Sequence, residues 1–192
     1  DKYIFYSKLD DSHRSKKIFR HKIGTPVKND ILIFEELNER FTTGIGMTSD
    51  EKYFLIFSGD HTTSEVHYFS TNDNEPKPKL FRKAKEGIIY SVNSWNNYFY
   101  IHTNDKAEDF KICKCKHNKT NNWEDVVPAK DEVLVGGITM LNNWMIRSET
   151  INALTKLFVR NLKNNKEEEL IFSDETVYSP SISLKQKDRN TD

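Results

Sequence analysis

Apolar positions in this chain fall in short runs, each closed by a polar turn rich in Asn, Lys, Asp, Gly or Pro. Runs of this kind mark strands, because an amphipathic helix needs a 3.6-residue period sustained over ten or more positions. The one helix-like stretch, NNKEEELI from Asn164, is short and ends in a β-type run. Four runs look alike. YIFYS from Tyr3, YFLIF from Tyr53, YFYIH from Tyr98 and WMIRS from Trp144 each open on an aromatic residue, and their starts lie 45 to 50 residues apart. Each is followed by a strand that tends to alternate apolar with charged residues: KKIFRHK, EVHYFST, FKICKCK and KLFVRNL. A fourth element follows: ILIFEE, KLFRKA, WEDVVPA and EELIFSD. Ahead of the last three copies stands a first element rich in small residues: FTTGIGM, GIIYSVN and VLVGGIT.

The repeating unit is therefore four short strands, A-B-C-D, with the period of a propeller blade. The predicted fold is all-β, a β-propeller fragment of four-stranded antiparallel blades. Residues 1–36 make an incomplete blade, 37–84, 85–130 and 131–175 are complete blades, and 176–192, with TVYSPSISL, supply the first strand of a further one. The chain opens on Asp1 and then directly on the apolar YIFY, as though cut inside a strand. Either the last strand closes a four-bladed ring by completing the first blade, or the chain is an arc of a larger ring. The A-strand glycines Gly44, Gly46, Gly136 and Gly137 suit crowded innermost strands.

Charge narrows the range of functions. The 29 basic and 29 acidic residues cancel, and Lys and Arg are spread along the chain rather than gathered in a stripe. Neither nucleic acid nor an acidic membrane surface is an expected partner. No apolar run approaches the ~20 residues of a membrane helix, and no signal peptide is visible. With only Cys113 and Cys115, a disulfide-bonded secreted protein is disfavoured, and a cytoplasmic location is expected. In CKCKH, Cys113, Cys115 and His117 share one strand face and invite a metal reading. Structural zinc needs four ligands and no second cluster exists, so two reduced thiols are the better account, and no metal or other cofactor is expected.

The first C–D segment carries more specific wording. LDDSHRSKKIFRHKIGTPVKNDILIFEE, with Asp10-Asp11, His13-Arg14, Arg20-His21, Gly24-Thr25-Pro26, Asp30 and Glu35-Glu36, resembles the propeller domain of the oligopeptidase B (protease II) branch of the prolyl oligopeptidase family of serine peptidases. TTSEV from Thr62, YSVNSWNNYFYIHTN from Tyr90, WEDVVP from Trp123 and NNWMI from Asn142 resemble the same domain in the same order. Ser15 departs from the proline that the family often has after His-Arg. The resemblance implies about four blades of a seven-bladed propeller, its second half. It also implies a partner α/β-hydrolase domain, absent from this chain, that carries the Ser-Asp-His triad, and a propeller that restricts entry to short peptides cleaved after Lys or Arg.

The chemistry itself is missing from the chain. No two of the seven glycines frame a serine as G-x-S-x-G, and the βαβ pattern of a hydrolase is missing. His61 beside Asp60 and Thr62–Ser64 invites a catalytic reading, but a turn held by local hydrogen bonds explains GDHTTSE more simply. The chain is expected to be inactive alone, so its status as an enzyme stays open. Two classes remain: the gating propeller portion of a serine oligopeptidase, or a freestanding or remnant propeller module that only binds. In an A-B-C-D blade the B–C and D–A loops leave one end, and on this chain they are acidic. Asp105, Glu108, Asp109, Asp131 and Glu132 are the candidates for a face that steers short basic peptides.

Overall fold

The computed structural model describes residues 2–171 and 178–184. Fifteen strands follow one another: β1 (Tyr3–Leu9), β2 (Ser15–Lys22), β3 (Ile31–Glu35), β4 (Thr42–Met47), β5 (Tyr53–Gly59), β6 (Ser64–Ser70), β7 (Lys79–Arg82), β8 (Tyr90–Trp95), β9 (Tyr98–Thr103), β10 (Lys111–Lys116), β11 (Glu124–Val127), β12 (Val133–Met140), β13 (Trp144–Ile151), β14 (Leu154–Asn161) and β15 (Glu167–Leu170). They form one three-stranded sheet, β1-β2-β3, and three four-stranded sheets, β4-β5-β6-β7, β8-β9-β10-β11 and β12-β13-β14-β15. The propeller fold class is thus observed, with an A strand in every sheet but the first. Among the described residues no helix is long and apolar enough to cross a membrane. The strand expected at EELIFSD spans Glu167–Leu170, and residues 172–174 of that stretch lie outside the described residues. Of the expected last strand, Thr176 and Val177 lie outside the described residues, and 178–184 carry no strand.

The chain divides into two compact units. One holds residues up to Phe99 together with 115–123, and the other holds 100–114 together with the residues from Glu124 onward. In the first unit, alternation sends Phe54 and Ile56 of β5 to one side, where Ile18, Ile56 and Phe69 are buried and Phe5, Ile33, Phe34 and Ile45 pack on them. Tyr53 goes to the other side and meets Phe99 at 5.0 Å and His117 at 4.9 Å. Phe99 also contacts Tyr68 and Phe81, at 5.3 and 5.2 Å. The aromatic that opens each B strand is therefore, at Tyr53, a packing residue of the kind that large buried rings favour.

The IGTPVKND turn is closed by side chains. Asp30 accepts from Tyr6 Oη at 2.8 Å and pairs with His21 Nδ1 at 2.6 Å. Thr25 donates to Lys22 O at 2.7 Å, and Pro26 precedes a 3-10 turn over Val27–Asn29. Gly24 takes φ +84°, where a side chain would be strained. Of the A-strand glycines, Gly136 alone is required by a close approach, since a Cβ there would lie 2.1 Å from Ser148 Oγ. It sits in the register shift between Val135 and Ile138.

In the second unit the inward face of β13 carries charge. Arg147 and Glu149 are 1% exposed, on the same face as the fully buried Met145. Arg147 donates to Glu149 through Nε at 2.9 Å and to both oxygens of Glu167, and its guanidinium stacks on Phe158 at 4.7 Å. Arg160 closes the group with bonds to Glu167 at 2.8 Å and Val126 O at 2.6 Å. Desolvation opposes the charge on Arg147, but the two carboxylates prevail and its pKa is raised.

Phe99 is fully buried in the aromatic cluster. Phe99→Ala is expected to cost about 3–5 kcal/mol in urea unfolding, and a loss below about 1 kcal/mol would show that this cluster does not hold the first unit together.

Candidate functional site

The five carboxylates singled out from the sequence all lie in the second unit, in two loops. After β9, the chain turns through hydrogen bonds from Ala107 N to Asn104 O at 3.1 Å and from Phe110 N to Ala107 O at 3.3 Å. Lys106 and Phe110 take positive φ there. Phe110 stacks on His102 at 4.6 Å, and His102 Nε2 donates to Val135 O at 2.7 Å. Burial holds the His102 pKa below its usual value, so the ring is a neutral spacer at pH 7. Val135 N in turn donates to Asp109 O at 2.9 Å. The loop with Asp105, Glu108 and Asp109 is thereby fixed beside the start of β12, just after Asp131 and Glu132. Glu108, Asp131 and Glu132 are exposed, and Asp105 and Asp109 are half-buried. No ion pair among the described residues engages Glu108, Asp109, Asp131 or Glu132.

The first unit presents acids at the corresponding strand ends, but pairs them. Asp10 Oδ1 accepts from the Ser12 and Arg14 amides, both at 2.9 Å. Lys17 meets Glu35 at 3.0 Å, and Arg40 lies between Asp60 at 2.6 Å and Glu86 at 3.2 Å. A pocket of about 280 Å³ opens here, lined by Glu36, Glu65 and Glu86 but also by Arg40 and Lys83, so its charge is mixed. Asp60 takes the Thr62 and Thr63 amides at 2.9 Å, which accounts for GDHTTSE as a turn. The Thr62 amide and the Arg40 guanidinium pull its pKa down to about 2.

Two other clusters deserve a chemical test. Ser94 Oγ donates to Asp50 Oδ2 at 2.8 Å and accepts from His117 Nε2 at 2.9 Å, a contact with no signal in the residue pattern. A serine activated for attack gives its proton to the histidine, and the carboxylate orients the histidine from its far side. Here the carboxylate takes the serine proton, and Ser94 is fully buried. The cluster is a structural hydrogen-bond node. At the cysteines, burial pushes the Cys113 thiol up to about 12, with the Cys113 to Asp125 hydrogen bond adding to it, and burial pushes Cys115 up to about 11. Thiols held that way are poor metal ligands and poor nucleophiles. Among the described residues no group of three or more His, Cys, Asp or Glu is placed to hold a metal.

The whole chain, residues 1–192, matches the family described as prolyl oligopeptidase, N-terminal β-propeller domain. The chain belongs to this family. Among curated relatives it is 29% identical to Protease 2 of Moraxella lacunata over 184 residues, which are 96% of this chain and 26% of the relative. It is 28% identical to dipeptidyl aminopeptidase BI of Pseudoxanthomonas mexicana, covering 94% of this chain and 25% of that protein. Oligopeptidase B from Trypanosoma brucei, solved in a closed form with covalently bound antipain, superposes with a TM-score of 0.85 at 25% identity, over 93% of this chain and 26% of that one. Oligopeptidase B from Leishmania major shares the fold with a TM-score of 0.91 at 19% identity, over 100% of this chain and 28% of that one. The chain spans about a quarter of the length of the curated relatives it matches.

Within a prolyl oligopeptidase propeller, the paired and buried groups above are structural, and two outcomes follow. Neither thiol is expected to react with Ellman's reagent at pH 8 in the folded chain, and both are expected to react in denaturant. Rapid native labelling would contradict the burial argument. The depressed Asp60 pKa supplies stability that is present above about pH 4 and is lost as pH falls toward about 2. Acid titration of Asp60→Asn is expected to show a smaller loss in that window than the unaltered chain does.

Proposed function

We propose that this chain is part of the non-catalytic propeller of a serine oligopeptidase, which covers a separate α/β-hydrolase domain and limits entry to short peptides cleaved after Lys or Arg. The observation that carries the steering part of this reading is the set of acids at Glu108, Asp109, Asp131 and Glu132, which no ion pair among the described residues engages and which two loops tied together through Val135 and Asp109 present. In the first unit Arg14, Lys17 and Arg40 offset the comparable acids, so the excess negative field resides with the second unit. A field of that sign raises the local concentration of cationic peptides and speeds their entry, an effect that weakens with salt. The propeller needs no cofactor for this role, and its two buried reduced thiols suit a cytoplasmic enzyme.

The isolated chain is expected to show no turnover of a fluorogenic Arg-Arg peptide. Turnover abolished by a serine-directed organophosphorus inhibitor would overturn the reading. In a longer protein that carries the hydrolase domain, converting Asp105, Glu108 and Asp109 together to lysine is expected to lower kcat/KM for a basic peptide about tenfold at low salt, and much less at high salt. An unchanged value at low salt, or an equal fall at high salt, would remove the steering role and leave the family assignment in place.

A further inference from the structure

The charge cluster around β13 in the second unit includes one member that electroneutrality does not require. Arg147 and Arg160 already balance Glu149 and Glu167. Lys130 is a fifth charge, added from the loop between β11 and β12, directly before Asp131 and Glu132. Its ammonium sits 2.9 Å from Glu149 Oε1 and 3.1 Å from Oε2, and 5.6 Å from the centre of the Phe158 ring. The two partners differ sharply in exposure: the Lys130 side chain is 42% exposed and that of Glu149 is 1% exposed. Arg147 bonds only Oε1, at 2.9 Å from Nε and 2.7 Å from Nη2. Among the described residues, Glu149 Oε2 therefore depends on Lys130 for its donor. A buried carboxylate oxygen without a donor is costly, so whatever uncovers this oxygen must replace the donor.

We propose that Glu149 Oε2 and the face of Phe158 form a seat for a primary ammonium, that Lys130 occupies it as a tethered stand-in, and that the lysine side chain of a peptide arriving at this loop end displaces it. The proposal deepens the steering role and rests on that reading for the arrival of cationic peptides. Carboxylate and aromatic face are the two groups that recognise a desolvated ammonium. Lys130 reaches the seat from a loop at the surface, so a ligand can follow the same path. As a tethered competitor, Lys130 acts at an effective concentration in the millimolar range. It keeps the seat filled when peptide is scarce and leaves the seat open to exchange when peptide is abundant.

The test is calorimetric titration of the whole chain with acetyl-Gly-Lys-Gly-amide, with the norleucine peptide as an uncharged control of similar shape. Lys130→Ala is expected to bind the lysine peptide about tenfold more tightly than the unaltered chain, because the tethered competitor is gone. Lys130→Arg, which refills the seat, is expected to bind no better than the unaltered chain. Neither protein should bind the norleucine peptide. Equal affinity in Lys130→Ala and the unaltered chain, or binding of norleucine as well as lysine, would overturn the proposal. Lys130→Ser opens the seat in a second way. Loss of the native circular dichroism spectrum in both Lys130→Ala and Lys130→Ser would make Lys130 a fixed structural clamp, which also overturns it. Equilibrium binding to this chain needs no hydrolase domain, so a failure here leaves the rate test on Asp105, Glu108 and Asp109 standing, and a failure there leaves this one standing.

Discussion

A small antiparallel sheet with apolar residues on both faces cannot shield itself, and the organisation of the first unit depends on that constraint. β5 illustrates it: Ile56 is covered on one side by Ile18 and Phe69, while Tyr53 on the other meets Phe99 and His117. Side chains of this size fix the spacing between sheets, and the polar groups then adjust to it. Tyr90 Oη accepts from Val66 N at 2.9 Å and donates to Arg82 O, Ser64 Oγ bonds both the amide and the carbonyl of Tyr90, and the Ser49 amide donates to Asn93 Oδ1 at 2.8 Å. These links satisfy backbone groups that burial would otherwise leave unpaired.

The same packing explains why the suggestive residues of this unit form a structural node. Ser94, His117 and Asp50 touch, yet the serine is sealed under the sheet and its proton is committed to the carboxylate. What remains free for function is the loop ends, where charge is not consumed by packing. There the two units differ. Arg40 bridges Asp60 and Glu86 in one, while in the other Glu108, Asp131 and Glu132 are exposed and no ion pair among the described residues engages them. In the proposed role such a domain would contribute cover and field to a separate catalytic domain, and membership in the prolyl oligopeptidase propeller family is compatible with that division of labour.

The strand order was legible because period and alternation report the same thing: YFLIF, EVHYFST and KLFRKA each became a strand in the expected position of one sheet. The place of Asp105, Glu108 and Asp109 in one loop was legible for the same reason, since loop membership follows from strand order. Pairing was not legible. Nothing near Asp60 in sequence announces Arg40, which comes from a different loop, and nothing near Glu35 announces Lys17, its cross-strand partner on β2. The Arg147–Glu149 group was hidden more deeply, because a buried face at i and i+2 of a strand is expected to be apolar, and WMIRSET breaks that rule inside a core. The break was itself a signal, since two charges on the inward face of a strand require partners from elsewhere in the fold. Among the A-strand glycines a close approach occurs at Gly136, where a Cβ would displace the Ser148 hydroxyl and crowd its carbonyl.

The central claim is that this chain shapes and charges an entrance and holds no reactive nucleophile. The most direct measurement is treatment of the folded chain with a fluorophosphonate probe, followed by intact-mass and peptide mass spectrometry. The account predicts no adduct on any serine, Ser94 included. A stoichiometric adduct on Ser94 that disappears in His117→Ala would contradict it.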